Sequence, residues 1–485
     1  MADDPIKLTH KRSQDVLENG VPIDQVLAEL AERHRMDDPY ADRPGMVNMY
    51  NTGLDTVEKV ATDAFGMYIH VNPLYSSTFP SVYALEKELV RAANDMLHAP
   101  NDATGSWTMG GSESIMMATK AARDGAKHIT RPNMVLPISA HAAWWKAAHY
   151  LGVEARTTTV DPETYRADVA AIKAAVDENT IFVVLSAPQY GQGVIDPIEE
   201  IGEFCLEQGI RLNVDACIGG WVLPFAERQG CEIPLWDFRV PGVSSITVDL
   251  QKYGYTNKGC SLVLYRTREL RLPQFFAHAN WTGYPIVNST VMSSKPGGLL
   301  AAAWSIVKHI GDDGYMHLVE EGLRIRRELE AGVAAIPGLR IMGKPESTLA
   351  AITTDPDADE GVDFFLWIDE LAKRNWTMQP QLTQPGVPPS IHFTIAKQHG
   401  SYMAEFIEVM REALDAARLR DPLIPAERLA EIHALPADTT FADIVPIVME
   451  SFEDGKPSTK THLVLDALPM PLREMAMLAY FDALT

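Results

Sequence analysis

The chain of 485 residues carries only four cysteines, Cys205, Cys217, Cys231 and Cys260. None is spaced as CxxC or set in a ligand pattern with histidine, which excludes a disulfide framework and a Cys/His metal site. They read as buried thiols of a reducing compartment. Basic residues are the next shortage: 42 Lys and Arg stand against 65 Asp and Glu, a net charge of −23. Phosphate neutralisation needs basic surface, so nucleic acid and anionic membranes are excluded as main partners. A small anionic ligand, which needs only a local pocket, is not. No apolar run reaches membrane-spanning length, and MADDPIKLTHKR lacks the apolar core of a signal peptide. A cytoplasmic protein with no membrane anchor is expected.

What is present is a long alternation of strand and helix patterns. The length exceeds what one core sustains, so several structural units are expected. Residues 22–36 form an amphipathic arm, Pro39–Gly45 a connection, and 55–68 and 82–96 further helices. Strands are predicted at 134–138, 155–160, 180–188, 210–217 and 244–250, with helices between them. The run TIFVVLSAP is apolar enough to be buried on both faces. This is the βαβ rhythm of a mostly parallel sheet. Helical patterns at 304–310 and 318–335 leave it, and strands near 339–342, 349–353 and 390–394 alternate with helices at 364–374 and 402–417. The α/β division read from this is an arm with helices over 1–75, a large domain over 76–305, a small α+β domain over 306–420, and a helical extension over 421–485. The extension shows three short helical segments, near 426–435, 441–452 and 471–483, and no catalytic pattern.

Ligands on parallel sheets sit beyond the carboxyl ends of the strands. The chemically capable residues just past those ends are His141, Ser186, Asp215 and Lys252. Lys252 lies in SITVDLQKYGYTNKGCSLVLY, a polar turn between two apolar runs. Burial there disfavours the ammonium and lowers its pKa, which is what imine formation with an aldehyde requires. The competing reading is a surface hairpin with a solvated lysine. Gly110-Gly111-Ser112 precedes a helical pattern, and unpaired N–H groups with the positive dipole end suit a phosphate; a plain helix cap is the alternative. Separately, each residue has a dull explanation. Together they have one economical use, pyridoxal phosphate: an amine for the aldehyde, a carboxylate for the ring nitrogen, an imidazole to stack, and N–H donors for the phosphate.

The blocks TMGGSESIMMA, ISAHAAWWKAAHYLG, LSAPQYGQGVIDPIEE, NVDACIGGWVLPF, DFRVPGVSSITVDLQKYGYTNKGCSLVLYR and VPPSIHFTIA resemble the sphingosine-1-phosphate lyases of the group II pyridoxal-phosphate-dependent decarboxylase superfamily. The resemblance runs from about Met49 to Arg418. It implies the aspartate-aminotransferase-like fold (fold type I) and a homodimer with active sites at the interface. It also implies that Lys252 binds the cofactor covalently, Asp215 meets the pyridine nitrogen and His141 stacks on the ring. Gly111, Ser112 and Ser186 would serve the cofactor, and Lys258 would lie near the substrate. The sequence departs from the family where His and Thr before the lysine become Gln251 and Leu250, Pro-His becomes Gly191-Gln192, an Arg becomes Lys295, a His becomes Tyr75, and an Asp becomes Trp145. Gln251 retains the capacity to donate to a phosphate oxygen; Leu250 does not. These departures bear on the substrate more than on the cofactor.

Three functions compete. The first is a carbon–carbon lyase that cleaves a phosphorylated amino alcohol to an aldehyde and phosphoethanolamine, with Lys258 and Tyr255 as candidates for proton handling. The second keeps the cofactor and breaks the bond to a carboxylate, as an amino-acid decarboxylase does. The third is a non-catalytic homologue that only binds pyridoxal phosphate. No metal is called for in any of them.

Overall fold

The computed structural model describes residues 20–35, 50–75, 77–355, 358, 361–453 and 456–484. The Pro39–Gly45 connection lies outside them. Residues 1–45 and 46–485 form two units. In the first, α1 (Ile23–His34) is amphipathic as expected, and Val26, Leu27 and Leu30 on its apolar side are exposed.

The second unit is built on a seven-stranded sheet in the order β1-β7-β6-β5-β4-β2-β3. Its strands are β1 (Thr104–Thr108), β2 (Asn133–Pro137), β3 (Glu154–Thr158), β4 (Thr180–Ser186), β5 (Arg211–Asp215), β6 (Val243–Val248) and β7 (Ser261–Tyr265). Strands β2 to β6 run parallel, while β1 and β7 are antiparallel to their neighbours. Every residue of β4 is buried, as its unbroken apolar run requires. Helices α2 (Asp55–Met67), α3 (Pro80–Met96), α4 (Gly111–Gly125), α5 (Ala143–Leu151), α6 (Val169–Ala175), α7 (Ile198–Gln208) and α8 (Leu223–Arg228) accompany the sheet. Two apolar clusters result, one centred on Val183, Val214 and Ile246, the other on Met134, Trp144 and Phe182.

Strand β1 escaped the sequence reading because TGSWT has no β-branched run. Its composition answers to packing: a Cβ on Gly105 would come 2.7 Å from Leu264 Cδ2 and 2.9 Å from the Val263 carbonyl oxygen. A hairpin of β8 (Phe276–His278) and β9 (Ile286–Asn288) was also not expected. The patterns at 304–310 and 318–335 fall on the two helical pieces of α9 (Gly297–Ala334), which are separated at Gly311, whose φ of 62° and ψ of −179° only glycine adopts cheaply.

A second sheet, β10-β11-β13-β12, is formed by β10 (Leu339–Ile341), β11 (Leu349–Thr354), β12 (Pro380–Gln381) and β13 (Ser390–Thr394). With α10 (Phe364–Lys373) and α11 (Met403–Ala417) it encloses its own core around Phe365, Trp367, Phe393 and Phe406. The final stretch contains α12 (Ala426–His433), α13 (Phe441–Glu450), α14 (Thr459–Ala467) and α15 (Met470–Leu484). Helix α14 corrects the reading of three segments. TKTHLVLDA is buried on several sides, so it lacks the one-sided pattern that betrays a surface helix. Among the described residues, no helix is long and apolar enough to cross a membrane.

Candidate active site

The parallel strands bring their carboxyl ends to one edge. Ser186 and Asp215 are register partners on β4 and β5, and Asp249 follows β6 directly. Past these ends lies a cavity of about 190 Å³. Gly111, Ser112, His141, Ser186, Asp215, Gln251 and Lys252 all line it, seven of the nine residues singled out from sequence. Gly111 and Lys252, 141 positions apart in the chain, thus meet in one space. Tyr190, Cys217 and Asp249 line it too.

Lys252 Nζ lies 3.3 Å from Asp249 Oδ2, with the lysine side chain 19% and the aspartate 3% exposed. Here the sequence expectation is corrected. Burial does work against the ammonium, but Asp249, with Cys217, Tyr50 and Asp215 behind it, outweighs that cost and raises the lysine pKa above its ordinary value. Asp249 was missed from sequence, although an acid three residues before the lysine at a strand end was a readable signal.

Asp215 is held from three sides. Its Oδ2 accepts from Trp144 Nε1 at 2.9 Å, and its Oδ1 accepts from the Cys217 N–H at 3.1 Å and from Thr247 Oγ1 at 3.4 Å. A carboxylate so fixed can face a ring nitrogen without reorganising. His141 opens onto the cavity. Its pKa is depressed, first by the surrounding protein and then by Lys252, against Asp215 and Asp249. Its Nδ1 accepts from the Ala143 N–H at 3.2 Å, so the neutral ring carries its proton on Nε2. Ser186 is anchored through its backbone, the N–H donating to Asp196 Oδ2 at 2.8 Å.

At the other end, α4 starts at Gly111; the N–H groups of Glu113 and Ser114 donate to the Gly110 carbonyl at 3.0 Å and 3.1 Å, and those of Gly111 and Ser112 come before the first intrahelical acceptor. Gly110 has a φ of 133°, which takes the backbone into the helix without a side chain. A Cβ on Gly111 would stand 2.8 Å from both Asp249 carboxylate oxygens, and one on Gly110 would stand 3.3 Å from Gln251 Nε2. Gln251 Oε1 accepts from the Gly259 N–H at 2.8 Å, which turns its amide N–H₂ toward the start of the helix. This glycine cradle, with a side-chain donor over it, fits a phosphate. The amine, the carboxylate and the neutral flat imidazole fit the rest of pyridoxal phosphate.

Two expected residues stand apart. Tyr255 does not line the cavity: it is buried with its ring edge-on to Tyr253 at 6.1 Å, and burial pushes its pKa up. Lys258 also lies outside, its Nζ donating to the Gln251 carbonyl at 3.4 Å and sitting 5.1 Å over the Tyr50 ring. Burial, and next Lys252, lower its pKa. Lys295 is buried, donating to the Trp107 carbonyl at 3.0 Å with its ammonium 4.0 Å over that indole. A larger cavity, about 500 Å³, opens elsewhere beside Trp221, Phe225 and Tyr315. Its rim arginines are paired, Arg228 with Asp312 and Arg239 with Glu227.

Known proteins resemble this chain over most of its length. Residues 14–353 match the pyridoxal-dependent decarboxylase conserved domain. The sphingosine-1-phosphate lyase of Dictyostelium discoideum is 34% identical over 449 residues, 91% of this chain and 83% of that protein. That of Arabidopsis thaliana is 37% identical over 401 residues, 81% of this chain and 72% of its own. The solved structure of the Burkholderia pseudomallei K96243 sphingosine-1-phosphate lyase superimposes with a TM-score of 0.79 at 32% identity, covering 85% of this chain and 95% of that one. The fold is therefore the type I α/β fold of pyridoxal-phosphate enzymes, the cofactor is pyridoxal 5′-phosphate, and the protein is a lyase. By the length matched and by the relatives it matches, the chain belongs to the sphingosine-1-phosphate lyase family of pyridoxal-phosphate-dependent lyases.

Proposed function

We propose that the protein cleaves the carbon–carbon bond of a phosphorylated amino alcohol, releasing an aldehyde and phosphoethanolamine. The observation that carries this reading is the convergence of Lys252, Asp215, His141 and the α4 N-terminus on one cavity in a chain similar to lyases of that substrate class. When bound, pyridoxal phosphate supplies an aldehyde for amine capture and a protonated ring that accepts electrons from the bond being broken. Lys252 provides the amine that holds it. Asp215 would hold a proton on the ring nitrogen, His141 would cover the ring as a flat imidazole, and Ser186 would border it from the end of β4. Gly111, Ser112 and Gln251 hold the phosphate. Tyr190, on the cavity wall, and Lys258, just outside it with its Nζ donating to the Gln251 carbonyl, would handle the substrate's protons. Tyr255 takes a structural part instead.

We further propose that the chain divides into an arm over 1–75, a large domain over 76–305, a small domain over 306–420 and an extension over 421–485, with α9 shared by the middle two. Four free thiols suit a cytoplasmic location. An active homodimer is supported by the exposed apolar side chains of the β8–β9 region, Phe276, Trp281, Tyr284 and Val287.

Borohydride reduction of the purified, cofactor-loaded protein, followed by peptide mapping, should place a pyridoxyl adduct on Lys252, and Lys252→Ala should abolish it. Incubation with a phosphorylated long-chain amino alcohol should yield aldehyde and phosphoethanolamine. Carbon dioxide release from amino acids, without aldehyde from the amino alcohol, would replace this reading by decarboxylation.

A further inference from the structure

Two side chains of the helical extension hold Thr383, which follows β12. Asp466 on α14 accepts from both the N–H and the hydroxyl of Thr383, at 2.6 Å and 2.9 Å. Arg473 on α15 donates to the Thr383 carbonyl at 2.6 Å and, through its other Nη, to the Asp466 carbonyl at 2.6 Å. Its Nε donates to the Leu468 carbonyl at 3.1 Å. All three polar groups of Thr383 are therefore held by the extension. All three of these contacts involve a charged partner of the kind that outweighs neutral hydrogen bonds. Both Asp466 and Arg473 are only 15% exposed, so water competes weakly.

Thr383 sits in a hairpin. The strand before it, β12, pairs Gln381 with Ser390 on β13, and Ser390 Oγ donates to Gln381 Oε1 at 2.7 Å. The turn is closed by a bridge between Gln384 and Val387. Two residues beyond Ser390, the buried His392 stacks on Tyr190 with ring centroids 3.9 Å apart and planes at 29°. His392 Nδ1 lies 3.3 Å from the Gly191 carbonyl, and Nε2 lies 3.0 Å from Thr394 Oγ1. Tyr190 lines the cavity that holds Lys252. The path from extension to cavity is thus continuous: Asp466 and Arg473, Thr383, the hairpin, His392, Tyr190.

We infer that the extension after Arg420 is a positioning device for the cavity wall, with Asp466 and Arg473 fixing the 380–394 hairpin so that His392 holds Tyr190 in place. Asp466 and Arg473 are positioning residues and touch no substrate. The inference rests on the assignment of this cavity as the active site. Strand β13 is paired along its other side with β11, but β12 is a two-residue edge strand, and an edge that short is marginal by itself; the extension ties that edge and its turn down.

The test is hydrogen–deuterium exchange on the full chain, wild type against Asp466→Ala and Arg473→Met. Exchange at residues 189–194 and 390–394 should speed up by about ten-fold, the equivalent of one lost charge-assisted hydrogen bond. Arg428→Ala, which removes an exposed pairing inside the extension, should leave those segments as they are. With substrate, KM should rise by several-fold while kcat stays within about two-fold, the pattern of lost binding in ground and transition state alike. Should either variant fail to fold, Thr383→Val, which removes a single hydroxyl, serves in its place. Unchanged exchange at 189–194 in a folded variant overturns the inference. A wild type without lyase activity would overturn the proposed reaction, and the exchange measurement would still decide this one.

Discussion

Lys252 and Asp249 sit one turn apart at the end of β6, and the sign of their interaction decides how the site works. A lysine in a dry cavity alone would lose its proton easily; with a carboxylate 3.3 Å away it keeps it. The amine attacks only when neutral, so Asp249 holds it in reserve. Asp249→Asn removes the partner and lets the burial term prevail. The pH midpoint for forming the borohydride-reducible adduct at Lys252 should fall by about one unit or more. A midpoint that stays put would mean that Asp249 does not set the lysine's charge. The same carboxylate presses on the Gly111 cradle, so a side chain at Gly111 would disturb the seat for the phosphate and the lysine partner at once.

At the level of elements, β13 carries a titrating group into the core. His392 has its pKa pushed down to about 4, by burial first and by Lys252 as well, against the Gly191 carbonyl that favours the proton. The ordinary value is 6.5. Between those two pH values the unfolded chain binds a proton that the folded chain refuses. Stability present above pH 6.5 is therefore lost as the pH falls toward 4, by up to about 3 kcal/mol. His392→Phe keeps a ring against Tyr190 and removes the titration. Its melting temperature should decline less steeply than that of the wild type between pH 6.5 and 4, and parallel slopes would assign the acid sensitivity to other groups. Helix α9 shows another element-scale effect. Gly311 breaks its phase, and beyond the break Tyr315 donates to the Gly254 carbonyl at 2.8 Å, two residues from Lys252. The kink and the lysine loop are thereby tied together.

For the molecule as a whole, large apolar side chains are exposed on and between β8 and β9. Trp281 and Phe276 are about half exposed and Val287 is 64% exposed. If a second copy covers this region, sedimentation equilibrium should return twice the chain mass. Val287→Glu should then shift the population toward single chains, because a charge would be buried unpaired in the interface. A wild type that sediments as one chain at micromolar concentration would contradict the dimer.

The βαβ alternation, the unbroken apolar β4 and the glycine pair before α4 were legible because each is a local pattern whose period or chemistry has one structural use. For the same reason the strand-end rule was enough to single out His141, Ser186, Asp215 and Lys252 before any coordinates. What stayed hidden depended on pairs far apart in the chain or on which way a side chain faces. β1 is a strand because β7 needs an edge partner, and Tyr255 turns into the core while Tyr190 lines the cavity. The stack of His392 on Tyr190 joins residues whose numbers differ by about two hundred, and the hold of the extension on Thr383 spans more than eighty. The sequence by itself determined the parallel core of the sheet and pointed to the cofactor and to seven of the residues that line the cavity. Only the tertiary structure decided the charge of Lys252 and the support behind its cavity wall, because electrostatic balance and second-layer contacts depend on distances that no local pattern records.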